Sequence, residues 1–139
     1  MAELYMVLHV VLALFLGGVL GWQRENSGKW AGPRTFALVS GGSALFTILS
    51  ITAFGADISR VASQIVVGIG FLGAGTILHK ENRVVGLTTA AGLWMVAAIG
   101  MAVGVRYYIL AVSVSMLCLI TFMFDDRRFK KYPEDKDII

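Results

Sequence analysis

Charge is scarce in this chain of 139 residues: Asp, Glu, Lys and Arg together make up 15%, against about a quarter in ordinary soluble domains. Cysteine is almost absent. The single Cys118 lies inside an apolar run, so an intrachain disulfide framework is excluded and nothing implies an oxidising compartment. Of the two prolines, Pro33 stands at the start of an apolar run, where its missing N–H costs nothing, and Pro133 lies in the tail. No Ser-His-Asp, Cys-His or His-Glu-x-x-His arrangement is present, which leaves catalysis without a constellation, and the chain is not expected to be an enzyme. No basic region precedes the first apolar stretch. Glu3 stands there instead, so the stretch reads as a retained span rather than a cleavable signal.

What fills the chain is apolar: 57% hydrophobic residues and a mean hydropathy of +0.75. Residues 4–23, 35–56, 61–79, 84–105 and 107–124 carry no charged side chain. A helix needs about 20 mainly apolar residues to cross a bilayer. The expectation is an all-α, polytopic membrane bundle of five transmembrane helices, at about 3–22, 34–54, 60–79, 87–104 and 107–124. Residues 1–124 would form one transmembrane domain and 125–139 a short charged tail. All but two of the 12 basic residues fall on one side of this arrangement. Arg24, Lys29 and Arg34, then Lys80 and Arg83, then Arg127, Arg128, Lys130, Lys131 and Lys136 share that side, and Arg60 and Arg106 take the other. By the positive-inside rule the N-terminus is outside and the C-terminus cytoplasmic. The same distribution accounts for the net charge of +3 as an orientation signal, and no nucleic-acid partner is expected. The lipid bilayer is the first partner.

The third span holds Gly68-Ile-Gly70-Phe-Leu-Gly73-Ala-Gly75. On paper this is a dinucleotide-binding fingerprint, but that chemistry needs a strand-to-helix turn, and here the glycines lie within an uncharged span. No cofactor follows from it. Glycines in lipid let helix backbones approach closely. At helical spacing Arg60, Gln64, Gly68, Phe71, Gly75 and His79 share one face. Polar groups avoid lipid, so this face is expected in the bundle interior. Ser40, Ser43, Thr47 and Ser50 make a hydroxyl face on the second span, His9, Ala13 and Gly17 a face on the first, and Thr88, Ala91 and Gly92 one on the fourth. Interhelical hydrogen bonding is the plain reading and a polar path the sharper one. Gly17-x-x-x-Gly21 and Gly100-x-x-x-Gly104 have the spacing of dimer motifs, so self-association is expected.

The densest chemistry is the first loop, Arg24-Glu25-Asn26-Ser27-Gly28-Lys29-Trp30-Ala31-Gly32-Pro33-Arg34-Thr35. Glu25 bridging Arg24 or Arg34 would hold the first two helices together. Magnesium wants hard oxygen ligands, yet Glu25 and Asp57 fall on opposite sides of the membrane, and Lys80 and Arg83 flank Glu81. Whether a divalent ion binds stays open.

These residues resemble the MgtC/SapB family of bacterial membrane proteins. The resemblance runs over about residues 17–105. It is carried by Gly21-Trp-Gln-Arg24-Glu25 through Lys29-Trp-Ala31-Gly32-Pro33-Arg34-Thr35, by Leu38-Val-Ser-Gly-Gly-Ser43-Ala-Leu-Phe46, by Asp57 through Gly75, and by Gly86-Leu-Thr88-Thr89-Ala90-Ala91-Gly92-Leu-Trp94. It implies a bacterial inner-membrane protein that modulates other membrane proteins in adaptation to low magnesium, acid stress or intracellular survival. It also implies two groups of site residues. Arg24, Glu25, Lys29, Gly32, Arg34 and Thr35 would form a cytoplasmic partner-binding or structural cluster. Asp57, Arg60, Gln64, Gly68, Phe71, Gly73, Gly75, Thr88, Thr89 and Trp94 would form a seam inside the bundle. Many members continue into a cytoplasmic domain, whereas this sequence stops at Ile139. A homodimer or other homo-oligomer with a membrane-protein partner is the first functional expectation. A small oligomeric transporter or channel, using the polar face of the third helix, is the alternative.

Overall fold

The computed structural model describes residues 2–55, 58–80 and 83–124. Almost all of them are helical: α1 (Ala2–Asn26), α2 (Pro33–Leu49), α3 (Ile58–Gly75), α4 (Leu87–Gly104) and α5 (Tyr108–Met123). A π-helical turn, Ser50–Phe54, prolongs α2. An antiparallel ribbon of β1 (Leu78–Lys80) and β2 (Arg83–Val85) links α3 to α4. Helix α1, α2 with its π turn, and α4 are each long and apolar enough to cross a membrane, and α3 and α5 are shorter apolar helices. This is the build of an all-α membrane protein. The tail from residue 125, Asp57 and Glu81 lie outside the described residues.

Span edges and helix edges differ in two places. Helix α1 runs past residue 22 to Asn26 because Gln23, Arg24 and Glu25 all favour helix. Arg24 and Glu25 therefore stand on a helix rather than in a loop. Helix α3 stops at Gly75, short of the expected 79. The Thr76 N–H donates to the Gly73 carbonyl and the Ile77 N–H to the Ala74 carbonyl, both at 3.0 Å, and the chain turns. His79 consequently sits in β1, opposite Val84, and not on the α3 face. The ribbon closes on α4 through Gly86, whose φ of +97° suits glycine and whose missing side chain leaves room for the Thr76 carbonyl.

Helix α2 lies between α1 and α4, α5 packs on α4 and α1, and α3 leans mainly on α4. Ala13, Leu20, Phe36, Ala44, Leu93, Val96, Ile99, Val103 and Ala111 form the core. The hydroxyl face of α2, Ser40, Ser43, Thr47 and Ser50, is buried as its spacing requires. Glycines close over it. Gly100 of α4 rests on the Ser40 carbonyl, and a Cβ on Gly17 of α1 would stand 2.8 Å from Ser40 Cβ and 2.5 Å from the Phe36 carbonyl oxygen. A Cβ on Gly21 would stand 2.6 Å from the Gly32 carbonyl oxygen, and one on Gly104 2.7 Å from Thr47 Cβ. The two dimer-type glycine motifs thus serve packing within the chain. Close backbone approach supplies the van der Waals contact that lipid cannot.

Helix α4 ends in a Schellman closure. The Arg106 N–H donates to the Val103 carbonyl at 2.9 Å and the Tyr107 N–H to the Ala102 carbonyl at 2.8 Å. Arg106 occupies the left-handed position, with φ 68°. Glycine is usual there, and an L-residue in that region costs about 1–2 kcal/mol.

Candidate functional site

Helix α1 delivers Arg24 into the bundle. Its side chain is 3% exposed, so a charge has left water and needs compensation. A guanidinium N–H donates to Thr89 Oγ1 of α4 at 3.2 Å. The guanidinium carbon stands 4.5 Å from the ring centroid of Phe122 on α5, within cation–π range. Phe122 in turn meets Phe36 of α2 edge-on, with centroids 6.4 Å apart at 83°. Gln23 Nε2 donates to the Phe122 carbonyl at 3.2 Å. Arg24 and its neighbours therefore tie four helices together at one end of the bundle.

The rest of the first expected cluster divides around this lock. Gly32 is partly buried, and a Cβ there would stand 3.5 Å from the Glu25 carboxyl group. Glu25, Lys29, Arg34 and Thr35 are exposed, as is Trp30 at 86%. Gly32 is the described neighbour of the Glu25 carboxyl group, and the contacts shown for Arg24 run to α4 and α5. The aromatic ring of Phe122 and the Thr89 hydroxyl are among the groups that hold Arg24 in its place.

The second expected group is only partly interior. Gly73 is buried, with Ala90 Cβ 3.6 Å from where its own Cβ would be, and Thr89 is buried against Arg24. Thr88 is partly buried. Arg60, Gln64, Gly68, Gly75 and Phe71, the last 83% exposed, all face away from the bundle. A Cβ on Gly68 or Gly75 would meet nothing within 4 Å. The reason is which face α3 spends on its neighbour: Ala62, Ile65, Ile69 and Gly73 are its covered side. Trp94 is half exposed rather than interior, and with Val66, Ile69, Ala97, Ala98 and Met101 it lines a cavity of about 150 Å³ between α3 and α4. Asp57 lies outside the described residues. Among the described residues no three of His, Cys, Asp and Glu come together as a metal site would require.

Sequence reasoning missed Phe122 and Gln23 as partners at the Arg24 end. At the opposite end it missed the contact of His9 Nε2 with the Tyr108 hydroxyl, whose rings lie 5.5 Å apart. These pairs join α1 to α5 across 99 residues of sequence, and no local spacing announces them. The signal available was that Phe122 and Tyr108 lie at the two ends of the plainest span.

A helical membrane bundle locked by a buried arginine at one end is the class that fold and site define. The chain matches the MgtC family over residues 10–130. It belongs to that family. It is 43% identical over 123 residues to the "Putative magnesium transporter YhiD" of Escherichia coli, covering 82% of this chain and 57% of that protein. It is 42% identical over 114 residues to "Protein MgtC" of Salmonella typhimurium, covering 81% and 49%. A Haemophilus influenzae protein of uncharacterised function is 40% identical over 123 residues, covering 81% and 52%. The chain spans about half the length of the curated relatives it matches. No solved structure matches it.

Proposed function

We propose that this chain is an inner-membrane modulator of other membrane proteins in magnesium-linked stress adaptation, and that it works as a homodimer rather than as a conduit. In this reading it crosses the bilayer five times, with its N-terminus outside. The Arg24 lock then lies at the cytoplasmic end, and Glu25, Lys29, Trp30, Arg34 and Thr35 form the rim offered to a membrane-protein partner. One observation carries the reading: the polar stripe of α3 is outside the bundle, and the hydroxyls inside it are closed over by Gly17, Gly100 and Gly104. A conduit needs a polar lining with room for its cargo.

The stripe suits a second copy of the chain. Around a two-fold axis α3 meets its own image, and an isologous contact brings like residues together. Each Gln64 amide then offers the other a donor and an acceptor, while Gly68 and Gly75 let the two backbones close. The second reading, a transporter whose path runs between copies along this same stripe, takes support from the printed name of the Escherichia coli relative.

Purified protein in liposomes separates the two. The modulator reading expects no magnesium, sodium or proton flux above empty vesicles. It also expects Glu25→Ala with Arg34→Ala to abolish stress survival at unchanged protein level. Flux that Gln64→Leu removes would establish the transporter and overturn the modulator.

A further inference from the structure

The end of the bundle opposite Arg24 holds a cavity of about 320 Å³ that neither reading uses. Its walls come from three places: Met6 and His9 of α1, Ile48, Ile51 and Thr52 at the end of α2, and Gly104, Val105 and Arg106 at the α4–α5 turn. This volume lies within the usual size range of small-ligand pockets, and like them the cavity sets a few polar groups in an apolar wall.

Three features of the backbone and side chains converge on it. The α2 wall is the π-helical turn, which supplies Ile51 and Thr52. Such turns are uncommon and concentrate at functional sites. The α4–α5 wall places an arginine, rather than glycine, in the left-handed position of the Schellman closure. Strain of this kind in a lining residue points to use. The α1 wall carries His9, whose Nε2 the Tyr108 hydroxyl engages, so the ring is fixed and Nδ1 is left as its second polar atom.

The charge among the described lining residues points to the class of ligand. Arg106 lines the cavity, and no Asp or Glu does so among the described residues. Arg106 makes no side-chain hydrogen bond or ion pair within the described structure. Thr52 already donates its hydroxyl hydrogen to the Ile48 carbonyl at 2.8 Å. The guanidinium fork is therefore the main donor, and planar oxyanions are what such a fork binds best. Met6, Ile48, Ile51 and Val105 supply an apolar bed beside it. We infer that this pocket binds an amphiphilic anion, a carboxylate or phosphate head on a short apolar body, with Arg106 on the head and His9 beside it. The source is either a free organic acid or the headgroup of an anionic lipid.

Replacing Arg106 by glycine tests the inference without endangering the fold, because glycine suits the left-handed position better. The full chain is placed in nanodiscs of phosphatidylcholine and titrated with hexanoate, with hexyltrimethylammonium as the cationic control. A free-acid source gives saturable hexanoate binding, no binding of the cation, at least a ten-fold loss in Arg106→Gly at an unchanged or higher Tm, and a smaller loss in His9→Gln. A lipid source gives no hexanoate binding. Phosphatidylglycerol then stays with the wild-type protein through detergent exchange and is lost from Arg106→Gly. Equal binding and equal lipid retention by wild type and Arg106→Gly would overturn the proposal, as would preference for the cation.

Discussion

Gly100 on α4 and Gly68 on α3 are both glycines well inside apolar helices, yet their surroundings are opposite. A methyl group on Gly100 would enter the Ser40 carbonyl of the neighbouring helix, whereas one on Gly68 would touch nothing within 4 Å. The first glycine is explained by this chain alone. The second is not, because α3 gains nothing from Gly68 in intrachain contact and still bears the weak helix propensity of glycine. Small residues in a membrane helix mark a surface of close contact. They do not say whether the other side of the contact is the same chain.

The largest expected effect tests the closed side of this contrast. Gly100→Leu forces α2 and α4 apart, and the destabilisation should exceed about 3 kcal/mol, the upper end for overpacked cores. The readout is loss of folded, monodisperse protein after mild solubilisation. If Gly100→Leu is recovered as wild type, the closed seam is not what holds the bundle. Phe122→Ala comes next. It strips the ring from Arg24 and from Phe36, and we expect a cost of about 3 kcal/mol, at the low end for Phe-to-Ala because the ring is only partly buried. Thermal unfolding followed by circular dichroism should show a clear fall in Tm.

Thr89→Val is smaller. It keeps the shape and removes the oxygen that the Arg24 guanidinium meets, for a cost of about 1–3 kcal/mol. Pairing it with Phe122→Ala in a double-mutant cycle should give a non-additive result, since both groups serve one cation. The smallest stability effect sharpens the open side. Gly68→Leu should change stability by no more than about 0.5 kcal/mol, as surface substitutions do. In the homodimer reading it nevertheless converts the protein to monomer in native mass spectra. A Gly68→Leu protein that stays dimeric would place the self-contact elsewhere.

Much of the fold was legible from charge spacing alone. The run 84–105 contains α4 with edges at 87 and 104, and the hydroxyl face of α2 is buried as its period demands. Direction was harder to read. The α3 stripe was expected inside and lies outside, while the two glycine pairs spaced for dimers lie inside. The physical cause is common to both. In water the hydrophobic face of a helix identifies its inner side, but in lipid both sides are apolar and the small or polar face marks only a helix contact. Helix ends suffered from a related ambiguity. A span ends where charge begins, but a helix of Gln, Arg and Glu continues through that boundary, so charge spacing alone puts Arg24 in the loop and the structure puts it on α1. The sequence singles out Arg24, and the structure places it on α1, buried in the bundle. Thr89 and Phe122, which it meets, are too far along the chain for any local pattern to pair them with it.

The stacking of Arg24 on Phe122 has a mechanical side. Helix α5 ends at Met123, one residue beyond the ring that the guanidinium covers. Through this ring a load on the end of α5 would pass to Arg24 of α1, by way of Thr89 to α4, and by way of Phe36 to α2. The bundle is thus fitted with a hitching point, where one aromatic ring joins the end of α5 to three other helices.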